Sequence, residues 1–140
     1  MRPFHLAFPV KDLEATRNFY VNILGCKTGR SAPSWIDFDM YGHQLSAHLA
    51  PNEPTYADTN VIDGKHVPAR HWGVILSMEE WEELAARLKS LGTKFIIAPH
   101  IRFKDQIGEQ ATMFLLDPSG NVLEFKAFKN EGDIFSKAEN

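Results

Sequence analysis

The sequence has little of what marks secreted, membrane-spanning or nucleic-acid-binding proteins. Cys26 is the single cysteine among 140 residues, which excludes an intramolecular disulfide and favours a reducing compartment. No apolar run is long enough to span a bilayer, and residues 1–5 lead into a strand-like pattern without a signal peptide's apolar segment. The 15 Lys and Arg are scattered among 18 Asp and Glu, so the charge favours neither nucleic acid nor an acidic membrane. We expect a cytoplasmic protein that binds neither.

Apolar residues are plentiful enough for one compact domain, because they make up 44% of the chain. The first part of the chain is predicted to form a strand, a helix and three strands, with Asp12 as the helix N-cap and Gly25 just after the helix. The strands are predicted at 4–10, around 26–29, at 35–40 and at 44–49, and the helix at 13–24.

The same order of elements returns after a polar stretch. Residues 51–68 hold three prolines and show no period, so we expect a linker or an ordered surface loop there. Beyond it, Ser77 and Glu80 form a capping-box pattern at the start of a helix that Gly92 ends. The accompanying strands are predicted at 71–76, 94–98, near 111–116 and at 121–128.

An internal repeat is indicated when one half of the chain is laid on the other. His5 falls on His71 at the start of a strand, and the glycines that end the helices and open the last strands also coincide. This alignment puts Ser46 at the place of Glu124. We therefore predict a single α+β domain over residues 1–140, with module 1 at about 1–50, a linker at 51–69 and module 2 at about 70–129, each module ordered βαβββ.

Glu124 is a carboxylate inside an otherwise apolar strand, which is costly unless something pairs with the charge. A metal ion is one such partner, and the repeat offers His5 and His71 as further ligands. Two imidazoles and one carboxylate form the facial triad that suits Fe(II), and Mn(II) or Zn(II) accepts the same ligand types. Each residue alone also has a structural explanation, as a histidine bonded to backbone or a glutamate paired with Arg or Lys. The agreement of all three under one repeat favours the metal site.

Three stretches of the sequence resemble the vicinal oxygen chelate superfamily, which includes glyoxalase I, extradiol dioxygenases, fosfomycin-resistance enzymes and bleomycin-resistance proteins. They are residues 4–12 with Phe19-Tyr20, residues 71–74, and residues 114–125, whose Asp-Pro-Ser-Gly-Asn-Val-Leu-Glu string is the most specific part. The resemblance implies an α+β fold in which two βαβββ modules pair into an open, cup-like mixed β-barrel with flanking helices around a divalent metal. It also implies that His5, His71 and Glu124 are the ligands.

The ligand set indicates a metal-dependent, dioxygenase-like enzyme whose small substrate chelates the metal through oxygens. Fe(II) is the expected ion, with Mn(II), Zn(II) and Ni(II) as alternatives. The alternative functions are a glyoxalase-like lyase or isomerase, a thiol transferase acting on an antibiotic, and a metal-free small-molecule-binding protein of the bleomycin-resistance type. A homodimer is expected, because it would cover the β-edges.

Four further residues are candidates for the site. His48 shares the face of Ser46 by strand alternation, and an imidazole can act as the catalytic acid or base near neutral pH. The alternative for His48 is a barrel-rim histidine bonded to backbone. Ser46, Arg102 and Lys126 are candidate substrate contacts, with Arg102 suited to a substrate carboxylate. Arg102 could instead keep an edge strand soluble, and Lys126 could instead pair with Glu124.

Overall fold

The computed structural model describes residues 1–54 and 59–137, and its helices and strands confirm the α+β class. The chain divides into two compact units. Unit 1 comprises Met1–Ala57 with Asp117–Asn121, and unit 2 comprises Asp58–Leu116 with Val122–Asn140.

Unit 1 contains a mixed four-stranded sheet and one helix. Its elements are β1 (His5–Val10), α1 (Leu13–Arg17) with a π-helical continuation (Asn18–Ile23), β2 (Lys27–Ala32), β3 (Trp35–Met40) and β4 (His43–Leu49). The strands lie in the order β1-β4-β3-β2, with β1 parallel to β4 and the other neighbours antiparallel. The predicted N-cap is confirmed, because the Asp12 side chain accepts the backbone N–H of Ala15 at 2.7 Å.

The first helix is less regular than the sequence predicts. Instead of one α-helix over 13–24, its second half widens, and the Leu24 N–H donates to the Phe19 carbonyl five residues back, at 2.9 Å. The wider turn accompanies the burial of Phe19 and Tyr20 side by side. Tyr20 stacks on Phe38 of β3 with ring centroids 5.1 Å apart, so aromatic contacts fasten this turn to the sheet.

The two faces of the unit 1 sheet differ in chemistry. Alternation along β4 puts Leu45 and Ala47 on a buried face, where they share the core with Phe38. The opposite face is polar, and its residues are neighbours across the strands. It carries His5, Asp37, Gln44, Ser46 and His48.

Unit 2 contains a three-stranded antiparallel sheet, a hairpin and a longer helix. Its elements are β5 (Thr59–Ile62), β6 (Lys65–Pro68), α2 (Met78–Ser90), β7 (Phe95–Arg102), β8 (Gln110–Leu116), β9 (Val122–Phe128) and a 3-10 turn (Glu131–Asp133). The sheet order is β7-β8-β9, and β5 pairs with β6. The capping box of Ser77 and Glu80 is confirmed at the start of α2. The indole of Trp81 donates to the Phe125 carbonyl at 2.9 Å, so α2 is bonded to β9.

The strand predicted at 71–76 is present only as two isolated parallel bridges to β9, Trp72 with Leu123 and Ile75 with Lys126. The Glu124 N–H donates to the Trp72 carbonyl at 2.8 Å, so the segment does lie alongside β9. Gly73 allows this approach, because a Cβ at that position would overlap the Glu124 carbonyl oxygen. At Gly73 the segment therefore lies in close contact with β9 and does not form a regular ladder of hydrogen bonds with it.

The segment predicted as a linker or loop contains the hairpin β5–β6; its residues 55–58 lie outside the described part of the chain. The hairpin turns at Asp63-Gly64, where both residues have positive φ, at 49° and 78°. That pairing is the sequence signature of a two-residue hairpin turn. The strand predicted at 94–98 continues to Arg102, so β7 includes His100.

The internal repeat is visible in the strand register. In unit 1, Leu6 of β1 lies opposite Leu45 of β4, and in unit 2, Trp72 lies opposite Leu123. These are the positions that the alignment of the two halves makes equivalent. In unit 1, β1 runs parallel to β4, which lies beside β3; in unit 2, the segment 71–76 runs parallel to β9, which lies beside β8.

Candidate functional site

In unit 2, the structure brings together two of the three predicted metal ligands. His71 Nε2 lies 3.5 Å from Glu124 Oε1. The ring of His71 packs edge-on against Phe114, with centroids 5.3 Å apart, which restricts its orientation. Its Nδ1 lies 2.9 Å from the backbone oxygen of Pro68, an atom that can only accept. The proton of a neutral His71 is therefore on Nδ1, and the lone pair is on the Nε2 that faces Glu124.

Glu124 is buried, at 8% exposed, and both of its oxygens have neighbours. Oε2 accepts the hydroxyl of Thr112 at 2.6 Å, from the adjacent strand β8. Oε1 faces His71 and also lies 3.8 Å from the ammonium of Lys126, two residues along β9. The alternation that predicts Glu124 and Lys126 on one face is thus correct. One oxygen is thus fixed by a hydroxyl, and the other faces the side-chain nitrogens of His71 and Lys126 at longer distances.

These side chains border a small pocket of unit 2. It has a volume of about 240 Å³ and is lined by His71, Trp72, Gly73, Val74, Ile75, Glu124 and Lys126. The lining combines apolar side chains of the 71–76 segment with the charged groups of Glu124 and Lys126. The pocket is therefore able to take a small molecule with a polar end and an apolar end.

In unit 1, His5 belongs to a different polar cluster. Its Nδ1 lies 2.9 Å from Gln44 Oε1. The Gln44 amide nitrogen donates to Asp37 Oδ2 at 3.2 Å, and the Ser46 hydroxyl donates to Asp37 Oδ1 at 2.6 Å. Ser46, predicted as a substrate contact, thus donates its hydroxyl proton to the buried carboxylate of Asp37. The imidazole of His5 is itself exposed.

The two other predicted site residues have separate surroundings. His48 is exposed on β4, opposite Trp35 on one side and Pro9 on the other. The guanidinium of Arg102 lies 3.1 Å from Asp63 Oδ2 and 4.8 Å from the ring of Phe103. Arg102 thus already holds a carboxylate, that of the β5–β6 turn.

Three residues of these clusters are absent from the sequence prediction: Asp37, Gln44 and Thr112. Asp37 has the same sequence signal as Glu124, because it is a carboxylate between two apolar strand residues, Ile36 and Phe38. Thr112 has no such signal, because its role depends on the register of β8 against β9.

The Asp-Pro-Ser-Gly-Asn string closes a turn in unit 1. Asp117 is 4% exposed, and its carboxylate accepts the Tyr20 hydroxyl at 2.9 Å. It also accepts the backbone N–H groups of Ser119 and Asn121 and the Asn121 amide. The same amide donates to the Pro9 carbonyl at 2.9 Å, which ties the turn to β1. Burial, and then the neighbouring Asp117 carboxylate, raise the pKa of Tyr20 well above its ordinary value.

Within residues 1–54 and 59–137, no group of three or more His, Cys, Asp or Glu side chains is arranged to hold a metal ion. No helix within those ranges is long and apolar enough to cross a membrane.

Known proteins match this chain over nearly its whole length. The model of the Glyoxalase/Bleomycin resistance protein/Dioxygenase superfamily matches residues 2–125. A glyoxalase/bleomycin resistance protein/dioxygenase from Alicyclobacillus acidocaldarius is 33% identical, with a TM-score of 0.81 and 96% of each chain covered. FosX, a genomically encoded fosfomycin resistance protein from Listeria monocytogenes, is 19% identical, with a TM-score of 0.67 over 95% of this chain and 97% of that one. Lactoylglutathione lyase from Agrobacterium tumefaciens is 21% identical, with a TM-score of 0.64 and 97% of each chain covered. The motifs thus predicted the family correctly, and the chain belongs to the glyoxalase/bleomycin resistance protein/dioxygenase superfamily.

Proposed function

We propose that the protein is a divalent-metal-dependent enzyme whose ion is held by His5, His71 and Glu124. The observation that carries the proposal is the pair in unit 2, where Nε2 of His71 faces the carboxylate oxygen Oε1 of Glu124 at 3.5 Å. His5 is the equivalent residue of unit 1, and its Nδ1 is likewise bonded to an oxygen, Gln44 Oε1. Metal-binding histidines characteristically donate their second nitrogen in this way.

The donor atoms fit Fe(II) best among the divalent ions, with Mn(II), Zn(II) and Ni(II) as alternatives. Two neutral imidazole nitrogens and one carboxylate oxygen form a facial set that leaves coordination positions open. When bound, such an ion polarises the oxygens of a chelating substrate and, if it is Fe(II), allows O₂ to react.

The chain's own residues bind and orient the substrate. Thr112 holds one oxygen of Glu124, and the other oxygen faces His71 and Lys126. The ammonium of Lys126 lies 3.8 Å from that second oxygen, so it is placed to contact an anionic substrate group once Glu124 is otherwise engaged. Trp72, Val74 and Ile75 line the same pocket and exclude water from an apolar part of the substrate.

The remaining predicted site residues have supporting roles in this proposal. His48, exposed on β4, carries protons to or from the substrate. Arg102 binds a substrate carboxylate as it now binds Asp63. Ser46 contacts the substrate through its hydroxyl oxygen, while its hydroxyl proton is donated to Asp37.

The reaction we place first is a dioxygenase reaction on a small substrate that chelates the metal through two oxygens. The same residues would also serve a glyoxalase-like lyase or isomerase, or a thiol transferase acting on an antibiotic. Oxygen consumption separates these, since only the dioxygenase takes up O₂. A metal-free binding protein is the alternative from another class, and tight ligand binding by metal-free protein would identify it.

The experiment is metal analysis of protein purified without chelators. We expect about one ion per chain in the wild type and loss of most of it in His71→Ala, because two remaining ligands hold an ion weakly. His66→Ala is the matched control, since His66 is an exposed histidine of the neighbouring strand β6. Equal metal content in wild type and His71→Ala would refute the proposal. Oxygen uptake against a panel of catechols then tests the reaction.

We also propose a homodimer in the cytoplasm with a small-molecule substrate. The edge strand β2 is exposed along almost its whole length, and pairing with a second copy would cover it. Cys26 is a free thiol, as suits a reducing compartment. Light scattering after size-exclusion chromatography gives the mass of the assembly directly, and a monomer mass would contradict the dimer.

A further inference from the structure

Asp37 is a buried carboxylate that the proposed function leaves without a direct role. It lies on the polar face of unit 1 and is 6% exposed. Burying a charge is costly unless donors surround it, and Asp37 has two, the Ser46 hydroxyl at 2.6 Å and the Gln44 amide at 3.2 Å. Gly29 leaves room for it, because a Cβ there would lie 3.2 Å from Asp37 Cβ. Both strands beside β3 thus accommodate Asp37: β2 through Gly29, and β4 through Gln44 and Ser46.

The first consequence of Asp37 is the orientation of the Gln44 amide. An ionised carboxylate only accepts hydrogen bonds, so the atom of Gln44 that faces it must be the NH₂ group. The amide oxygen is then turned the other way, to within 2.9 Å of His5 Nδ1. If Asp37 were absent, the amide could rotate and present either group to the histidine.

The second consequence is the tautomer of His5. An amide oxygen also only accepts, so in a neutral His5 the proton is on Nδ1 and the lone pair is on Nε2. A histidine side chain without such a partner favours the opposite tautomer, with the proton on Nε2. The two hydrogen bonds that link Asp37, Gln44 and His5 therefore favour the His5 tautomer that a free histidine side chain disfavours.

The equivalent histidine of unit 2 reaches the same state by another route. His71 Nδ1 donates to a backbone oxygen, that of Pro68, at 2.9 Å. A backbone carbonyl needs no orienting partner, because its oxygen cannot be exchanged for a donor. Gln44 does need one, and Asp37 supplies it. Both repeats thus leave Nε2 as the lone-pair atom.

We propose that Asp37 is a positioning residue, which through the Gln44 amide fixes His5 in the tautomer with its lone pair on Nε2. The tautomer is a property of the protein without metal. The further effect on ion affinity rests on the proposed function, since it requires His5 to be a ligand. The two parts are therefore measured separately.

The first measurement is the tautomer of His5 in metal-free protein. Long-range ¹H–¹⁵N NMR of histidine-labelled protein at about pH 8, where imidazole is mostly neutral, distinguishes the two ring nitrogens. We expect Nδ1–H for His5 in the wild type and a substantial Nε2–H population in Asp37→Asn, whose amide no longer dictates the orientation of Gln44. His71 serves as the internal reference, because its Pro68 partner is unchanged.

Two further variants keep the test decisive. Asp37→Asn combined with Gln44→Glu restores the series of hydrogen bonds. The amide introduced at position 37 then donates to the carboxylate at position 44, whose other oxygen accepts from His5. The wild-type tautomer of His5 should therefore return. Gln44→Leu removes the acceptor at an exposed position and should release His5 even if Asp37→Asn does not fold. Asp39→Asn is the matched control, two residues along the same strand, where the side chain instead accepts the Gly42 N–H.

The second measurement is Mn(II) affinity by calorimetry. We expect Asp37→Asn to weaken binding about tenfold, as is typical when the partner of a ligating histidine is lost. The double variant should recover most of that loss, and Asp39→Asn should show none. An unchanged His5 tautomer in Asp37→Asn would overturn the positioning role of Asp37, and an unchanged tautomer in Gln44→Leu would overturn the role of the Gln44 amide. If the tautomer responds while the wild type binds no metal, the proposed function fails and the positioning of His5 stands.

Discussion

At the scale of single residues, Cys26 shows how burial controls chemistry. It is 8% exposed, and burial, followed by the nearby charge of Asp39, raises the pKa of its thiol from 9.0 to about 12. The folded protein therefore holds this proton more tightly than the unfolded chain does. The resulting contribution to stability is complete below pH 9 and is lost as the pH rises towards 12.

Cys26 should accordingly be unreactive in the native protein. At pH 8 we expect its reaction with a disulfide reagent to be roughly a thousandfold slower in native than in guanidinium-unfolded protein, because the thiolate fraction falls by about that factor. The reaction rate of the native protein should continue to rise with pH above pH 9, where the rate for an ordinary thiol levels off. Asp39→Asn should modestly raise the native rate, since it removes the second cause. A native rate within tenfold of the unfolded rate would contradict the prediction.

Side-chain direction could be predicted for some residues and not for others. Strand alternation places Glu124 and Lys126 on one face from sequence alone, and the structure confirms it. The partners of Glu124 and His5 could not be predicted in this way. Thr112 and Gln44 meet them across strands, and cross-strand register depends on turns and bulges such as those within β7–β8 pairing.

At the scale of elements, the segment 71–76 depends on one glycine. The backbone of Gly73 lies against the Glu124 carbonyl, where a Cβ would overlap the oxygen. Gly73→Ala must therefore displace the segment from β9, at a cost of about 1–3 kcal/mol or more in the free energy of unfolding. His71, two residues earlier, would move with it, so metal affinity should fall as well.

Denaturant unfolding and Mn(II) titration of Gly73→Ala measure both effects. Gly132→Ala is the matched control, because its added Cβ would meet only the flexible side chain of Asn130, at 3.3 Å. We expect that variant to stay within about 0.5 kcal/mol of the wild type. If the two variants were equally stable, the close approach of Gly73 to β9 would be wrong.

The start of a helix could be predicted where an N-cap precedes a helical period, as at Asp12 and Ser77. Helix α2 has Trp81, Leu84 and Leu88 at helical spacing after a capping box, and it forms as predicted. The hairpin β5–β6 has only short strands, and its Asp63-Gly64 turn is the signal that was available to find it. The π-helical turn has no sequence signal, because it depends on tertiary contacts such as that of Tyr20 with Phe38.

At the scale of the whole molecule, the repeat explains why two chemically different clusters occupy equivalent positions. Ser46 and Glu124 stand at matching places of β4 and β9, but only the second is a carboxylate. In unit 1 the acid lies one strand over, at Asp37, where it orients a side chain. In unit 2 the acid lies beside His71. The two modules have thus diverged in where the carboxylate lies relative to the equivalent histidine.

Because the proposed ligands come from both units, an ion should stabilise both at once. A ligand that binds only the folded state at 100 times its Kd adds about 2.7 kcal/mol, which slows amide exchange through global opening by roughly a hundredfold. With saturating Mn(II), hydrogen exchange should slow in β1 and β4 of unit 1 as well as in β9 of unit 2. His5→Ala should abolish the protection in both units, since the remaining pair would bind the ion weakly. If the protection were confined to β9 and its neighbours, or persisted in His5→Ala, the ion would belong to unit 2 alone, and His5 would not be its ligand.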